Sequence, residues 1–272
     1  MMKIDTEKCI GCGQCVKDCF PMDIEILDGK AKINNKNCIK CGHCIAVCPK
    51  DAVSMDEYSM EDVKDYDKES FSIAPDTLLN FIKFRRTVRQ FKNKQVEEEK
   101  IAKIIEAGRF TETGSNMQDP SYIVVREGLE QLKDLTFESL KSMGEYVLNN
   151  HTPETRLYRR YAKMWLKMYE EYKENPKNDK IFFNAPVVIV ITASSQVNGA
   201  LASSNMELMV NALGLGTFFS GFFVRAAQES KEIKDFLGVK RRKEIVTCMI
   251  LGYPDVKYLR TVPRKEADVS WK

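Results

Sequence analysis

Eight of the chain's nine cysteines stand before residue 50, in two copies of one spacing. The first copy places Cys9, Cys12, Cys15 and Cys19 ahead of Phe20-Pro21; the second places Cys38, Cys41, Cys44 and Cys48 ahead of Pro49. Each reads C-x2-C-x2-C-x3-C. Three thiolates so close along the chain can wrap one corner of a cubane iron–sulfur cluster. Gly11, Gly13 and Gly42 suit the tight turns such a wrap needs. Zinc is the competing use of so many thiols. Zinc hooks, however, pair two C-x2-C units across a longer loop, which a duplicated triple run fits poorly. Met1-Met2 leads straight into Lys3-Ile4-Asp5 with no apolar export segment, so metal ligation is favoured over disulfides. His43, inside the second run, reads as solvent-facing. The ninth cysteine, Cys248, lies in an apolar stretch and reads as a buried, inert thiol.

The duplicated run resembles the bacterial two-cluster ferredoxins. In that family the fourth cysteine of each run serves the other cluster. The resemblance therefore implies two [4Fe-4S] clusters in a ferredoxin-like domain over residues 1–53. Cys9, Cys12, Cys15 and Cys48 would hold one; Cys38, Cys41, Cys44 and Cys19 would hold the other.

A length of 272 residues leaves room for a second, larger domain. The net charge of +3 is too mild to argue for nucleic acid. No apolar run reaches the roughly 18 residues of a membrane helix. The expectation is a cytoplasmic protein with neither partner. Residues 54–74 crowd Asp56, Glu57, Glu61, Asp62, Asp65, Asp67 and Glu69 and read as an acidic linker, its charge a solvated face rather than a docking site.

From residue 75 to 272 the pattern alternates helices with strands. Pro75 opens a helix with Leu78, Leu79, Ile82 and Phe84 on one side. A second helix starts near Val96, with Ile101, Ile104 and Ile105 inward. Ser121–Val125 reads as a strand, and 128–143 as a helix. The stretch 145–180 breaks the pattern. Pro186–Thr192 and Glu244–Leu251 read as buried strands flanking a helix from Asn198 to Leu213. The long excursions do not suit a doubly wound sheet, so α+β is the expected class.

Two histidines, His43 and His151, leave little for a Ser-His-Asp triad or a histidine metal site. There is no phosphate-binding G-x-x-x-x-G-K loop, and Gly214-Leu-Gly216 ends a helix rather than following a strand. What stands out is Arg85-Arg86-Thr87-Val88-Arg89. Three guanidinium groups and a hydroxyl could clamp a phosphate or carboxylate. They could equally be cations at a helix C-terminus, and these residues alone do not separate the two.

The segment Arg85–Phe91 is similar to the R-R-S-x-R-x-F opening of the nitroreductase family of FMN enzymes. Thr113-Gly114-Ser115-Asn116-Met117-Gln118 resembles that family's flavin loop, Ala185–Val190 its central strand, Asn205–Gly216 its core helix, and Gly252-Tyr253-Pro254 with Arg264-Lys265 its C-terminal elements. The matches run in order over about 75–268. Thr87 stands where the family usually has serine and keeps the hydroxyl. No acidic residue falls in Phe218–Phe222, where the family has one beside the flavin. The resemblance implies that Arg85, Arg86, Thr87 and Arg89 hold the FMN phosphate and ribityl chain, completed by Arg264, Lys265 and Arg260. Ser115, Asn116 and Gln118 would form the flavin loop, with Asn116 and Gln118 reaching FMN across a homodimer interface. Ser220 and Gly221 would place backbone N–H groups near flavin N5. No side chain stands out as a general acid. Arg156, Tyr158, Arg159, Arg160, Tyr161 and Trp165 fall where the family varies its lid, although a helix packed on its own domain is favoured.

The resulting expectation is a dimeric ferredoxin–nitroreductase fusion. It would pass electrons from a donor such as ferredoxin or NAD(P)H, through two clusters and FMN, to a nitroaromatic, quinone or activated alkene. Two rivals stand beside it: an NAD(P)H-driven flavin reductase with the clusters as outlet, and an electron-transfer subunit with no small substrate.

Overall fold

The repeat of the N-terminal sequence becomes a repeat of structure. In the computed structural model, which describes Met1–Lys272, the first half contributes β1 (Met2–Ile4), α1 (Gln14–Lys17) and β2 (Ile24–Leu27). The second contributes β3 (Lys30–Ile33), α2 (His43–Ala46) and β4 (Val53–Met55). β1 pairs antiparallel with β4, and β2 with β3. Each short helix opens on a left-handed glycine, Gly13 at φ 73° and Gly42 at φ 76°. Such a turn costs glycine nothing and aims the following cysteine, Cys15 or Cys44, into the interior. Met55 pairs with Met2 and is buried, so Ser54 and Met55 belong to the ladder rather than to the acidic linker. Residues 56–74 are exposed throughout and hold a 3-10 turn at Met60–Asp62 and one α-helical turn, α3 (Lys68–Phe71). By contacts the chain divides into Met1–Ala74 with Thr113–Met117, and Pro75–Glu112 with Gln118–Lys272.

The second unit is built from α4 (Pro75–Phe84), α5 (Glu98–Arg109), β5 (Ser121–Val125), α6 (Leu129–Asn149), α7 (Pro153–Glu174), β6 (Val187–Ala193), α8 (Gln196–Ala212), β7 (Gly216–Phe219), α9 (Gly221–Glu229), α10 (Lys231–Phe236) and β8 (Glu244–Gly252). Its sheet runs β5-β6-β8-β7, antiparallel throughout, which meets the α+β expectation. Every residue of β6 is buried, because helices cover both faces. Val188 and Val190 join Leu132, Phe137, Leu140 and Trp165 on one side. Val187, Ile189 and Ile191 join Ile101, Ile104 and Met206 on the other. Side chains alternate across a strand, so two apolar faces require one continuous apolar run.

The stretch 145–180, which breaks the sequence pattern, is helical. α6 continues to Asn149, and Thr152 and Thr155 form a reciprocal cap that starts α7. The stripe Thr155, Ala162, Trp165, Met168 and Tyr172 is buried against α6, with Tyr172 stacked on Phe137 at 4.0 Å. Trp165, 1% exposed, meets Phe222 edge-on and is core, not a lid residue.

Candidate functional site

Within the N-terminal unit the eight cysteines surround two separate cavities. Cys9, Cys12, Cys15 and Cys48 line one, with Ile4, Ala31 and Ala52. Cys19, Cys38, Cys41 and Cys44 line the other, with Met2, Asp23 and Ile33. Each cavity thus combines three thiols of one run with the fourth of the other. All eight are free of disulfides. Backbone N–H groups aim at the sulfurs: Ala31 to Cys9 at 3.4 Å, Asp23 to Cys19 at 3.3 Å, Lys40 to Cys38 at 3.4 Å and Ala52 to Cys48 at 3.3 Å. The bonds from Ala31 and Gly11 lower the Cys9 pKa, whereas burial pushes Cys44 up to about 12. Four sulfurs around an apolar cavity, met by N–H donors, fit a cubane cluster. His43 is exposed, with Nδ1 3.1 Å from Asp18 Oδ2.

In the second unit the basic segment lies along the free edge of β7. Val88 N–H donates to Thr217 O at 3.0 Å, and Lys92 N–H to Tyr253 O at 2.8 Å. Gly216 allows this approach, since a Cβ there would stand 2.6 Å from Val88 Cγ2. Arg85 pairs with Glu207 of α8. Arg86 Nη1 donates to Lys83 O at 2.9 Å and to Arg85 O, so one nitrogen does serve the helix end. The rest do not. Arg85 Nε and Arg86 Nε and Nη2 are buried without a partner. Buried guanidinium nitrogens rarely stay unpaired, and an anion with several oxygens fits them. Arg89 lies with its guanidinium carbon 5.2 Å from the Phe218 ring centroid, and Thr87 is exposed beside it. A groove of about 730 Å³ between α6 and α10 is lined by Glu138, Glu229 and Glu232 and ill suits a phosphate.

The other expected residues fall as follows. Ser220 N–H donates to Cys248 O at 2.9 Å. Its hydroxyl donates to Ile181 O at 3.2 Å and caps α9. Gly221, exposed at the first position of α9, opens an open groove of about 300 Å³ with Phe219, Arg225 and Thr247. Burial pushes the Cys248 thiol up. Asn116 Nδ2 donates to Ile39 O at 3.0 Å and Lys40 O at 2.9 Å, within the N-terminal unit, so in this chain it is already engaged. Ser115, Asn116 and Gln118 all have positive φ, at 51°, 51° and 45°. Arg260, Arg264 and Lys265 are exposed on the C-terminal segment that follows β8. Asp119 escaped the sequence reading. It accepts from Ser194 N, Ser194 Oγ and Ser195 N at 2.7–3.0 Å, and from Asn198 Nδ2 at 2.5 Å. Burial raises its pKa, but these hydrogen bonds outweigh burial and hold it at about 2. It ties the chain just before β5 to the start of α8.

Thiol-lined cavities and a cationic clamp on an antiparallel α+β sheet are the equipment of a redox protein. Residues 82–253 match the nitroreductase family, and residues 1–49 match the 4Fe-4S dicluster domain. The chain belongs to the nitroreductase family, with an N-terminal ferredoxin-type dicluster domain. It is 23% identical over 187 residues to a putative NADH dehydrogenase/NAD(P)H nitroreductase of Archaeoglobus fulgidus, covering 65% of this chain and 84% of the relative. It is 26% identical over 165 residues to an NADPH-dependent oxidoreductase of Staphylococcus haemolyticus, covering 59% of each. Among solved structures, a nitroreductase with bound FMN from Bacteroides fragilis superposes with a TM-score of 0.54 at 18% identity, over 71% of this chain and 97% of that one. No helix is long and apolar enough to cross a membrane.

Proposed function

We propose that the chain is an iron–sulfur flavoprotein oxidoreductase. It takes electrons from a low-potential donor at two [4Fe-4S] clusters and delivers them, by way of FMN, to an organic acceptor such as a nitroaromatic, quinone or activated alkene. The observation that carries this reading is the coexistence of two four-thiol cavities with unpaired, buried guanidinium nitrogens in one chain. When bound, the clusters supply one-electron transfer and FMN supplies two-electron chemistry. Cys9, Cys12, Cys15 and Cys48 hold one cluster; Cys19, Cys38, Cys41 and Cys44 hold the other. Arg85, Arg86 and Arg89 grip the phosphate, with Thr87 beside them and Arg260, Arg264 and Lys265 closing over it. Ser115, Asn116 and Gln118 would serve the flavin loop, and Gly221 would offer a backbone N–H to the flavin. The relatives' names favour one alternative, with NAD(P)H as donor; the clusters would then be the outlet.

The protein works as a homodimer. α4 has no buried residue, and its Leu78, Leu79, Ile82 and Phe84 are 37–46% exposed, an apolar face that a second copy would cover. Anaerobically purified protein should contain about eight iron atoms and about one FMN per chain. Zinc in place of iron, or a preparation that refuses FMN, would contradict the assignment.

A further inference from the structure

The internal repeat lets one half of the N-terminal unit act as the reference for the other. Four residues beyond the fourth cysteine of each run, a backbone N–H donates to that cysteine's sulfur: Asp23 to Cys19 and Ala52 to Cys48, both at 3.3 Å. The two positions are equivalent in place and in burial, each 3% exposed. Their side chains differ. Ala52 presents a methyl group to the cavity of Cys9, Cys12, Cys15 and Cys48. At the cavity of Cys19, Cys38, Cys41 and Cys44 the equivalent lining residue is Asp23, which brings a buried carboxyl to the neighbourhood of those thiols.

One oxygen of Asp23 has a structural task. Oδ1 accepts the N–H groups of Lys36 at 3.2 Å and Asn37 at 3.1 Å, in the turn that leads into Cys38. Oδ2 has none; it is buried without a hydrogen-bond partner. A lone buried carboxylate oxygen is costly in an ordinary core. A second asymmetry points the same way. Lys30 donates its ammonium to the Cys9 carbonyl, placing a cation at the first-run cysteines.

We propose that Asp23 sets the order in which the two clusters are reduced, making the one held by Cys19, Cys38, Cys41 and Cys44 the harder to reduce. This rests on the two-cluster reading above. Reduction adds one electron from the donor to a cluster, with no bond made or broken. A fixed negative charge in a poorly solvated wall opposes that electron, and potentials of such clusters follow local charge, hydrogen bonding and burial. The first electron therefore settles on the cluster of Cys9, Cys12, Cys15 and Cys48. Asp23 acts on potential and is not a ligand.

The test is an anaerobic redox titration of the full-length, iron- and FMN-loaded protein, wild type against Asp23→Asn. Paramagnetic resonance follows reduction, and the shifted cysteine β-proton signals in NMR tell the clusters apart. Asparagine keeps an oxygen for the Lys36 and Asn37 N–H groups while removing the charge. The midpoint of the Cys19-containing cluster should move upward and that of the Cys48-containing cluster should stay, so the gap narrows. Asp23→Ala, which copies the other half of the repeat, should shift in the same direction; should it lose iron, the asparagine variant decides. Both clusters present with unmoved midpoints, or an equal shift of both, would overturn the role of Asp23. Wild-type protein holding a single cluster would instead overturn the two-cluster reading beneath it.

Discussion

Lys40 adopts φ 55° at the place where the first cysteine run has Gly11 at φ 65°. The two positions share a left-handed turn but not the same freedom. A Cβ on Gly11 would stand 2.0 Å from Gly29 O, whereas Lys40 has room to reach Glu57 at 2.9 Å. Gly11→Ala should therefore prevent the first-run cluster from forming and halve the iron content, while Lys40→Gly should leave iron unchanged; iron analysis reads both. At the clamp, Arg86→Ala removes the two unpaired buried nitrogens. With a charged hydrogen bond worth about 1.5–3 kcal/mol, FMN affinity should fall about tenfold to a hundredfold, with riboflavin binding unchanged by fluorescence titration. Asp119 makes a pH prediction. Its pKa of about 2 lies below the ordinary 3.8, so its contribution is complete above pH 4 and is lost as pH falls through about 2. Asp119→Asn should be less stable at pH 7 and lose less on acid titration followed by circular dichroism. The cysteine runs stood out through their local spacing, whereas the arginines alone did not separate a phosphate clamp from a helix end and took their meaning from the family resemblance. Asp119 was not legible, because its partners Ser194, Ser195 and Asn198 lie more than seventy residues further on.

Among the elements, β6 announced itself through an unbroken apolar run, and α4 through its apolar stripe. β7 and α9, which frame the Gly221 groove, did not. Gly216–Phe219 is four residues long and is a strand only because β8 pairs with it. α7 was hidden by its charged residues, although its buried stripe kept a helical spacing. The loop before β6 depends on a buried ion pair. Asp179, whose side chain is fully buried, accepts from the N–H groups of Ile181 at 3.1 Å, Phe182 at 2.7 Å and Asn184 at 3.1 Å, and lies 3.6 Å from Lys133. Asp179→Ala would leave Lys133 with Glu130 alone and free three N–H groups, costing about 3–5 kcal/mol in chemical denaturation. It should also displace Ile181 O, the acceptor of the Ser220 hydroxyl. At α4, Leu79→Glu should convert the proposed homodimer to a monomer by light scattering and weaken FMN binding with it.

At the scale of the whole molecule, the chain joins a cluster-binding unit to a flavin-type fold, and the order of electron flow is the central claim. Both folds were legible from ordered motifs, whereas donor and acceptor leave no mark in local sequence. Tethering a donor to its acceptor raises its effective concentration, which favours the clusters as the entrance. The deciding measurement is anaerobic reduction of a nitroaromatic acceptor by FMN-loaded, full-length protein, comparing wild type with Cys41→Ser. Driven by reduced ferredoxin, the wild type should turn over and the variant should lose most of that rate. Both should remain active with a small chemical reductant that reaches the flavin directly. If wild type and variant run equally fast on NADH or NADPH, and neither responds to ferredoxin, the clusters are not the entrance and the proposed electron flow is wrong.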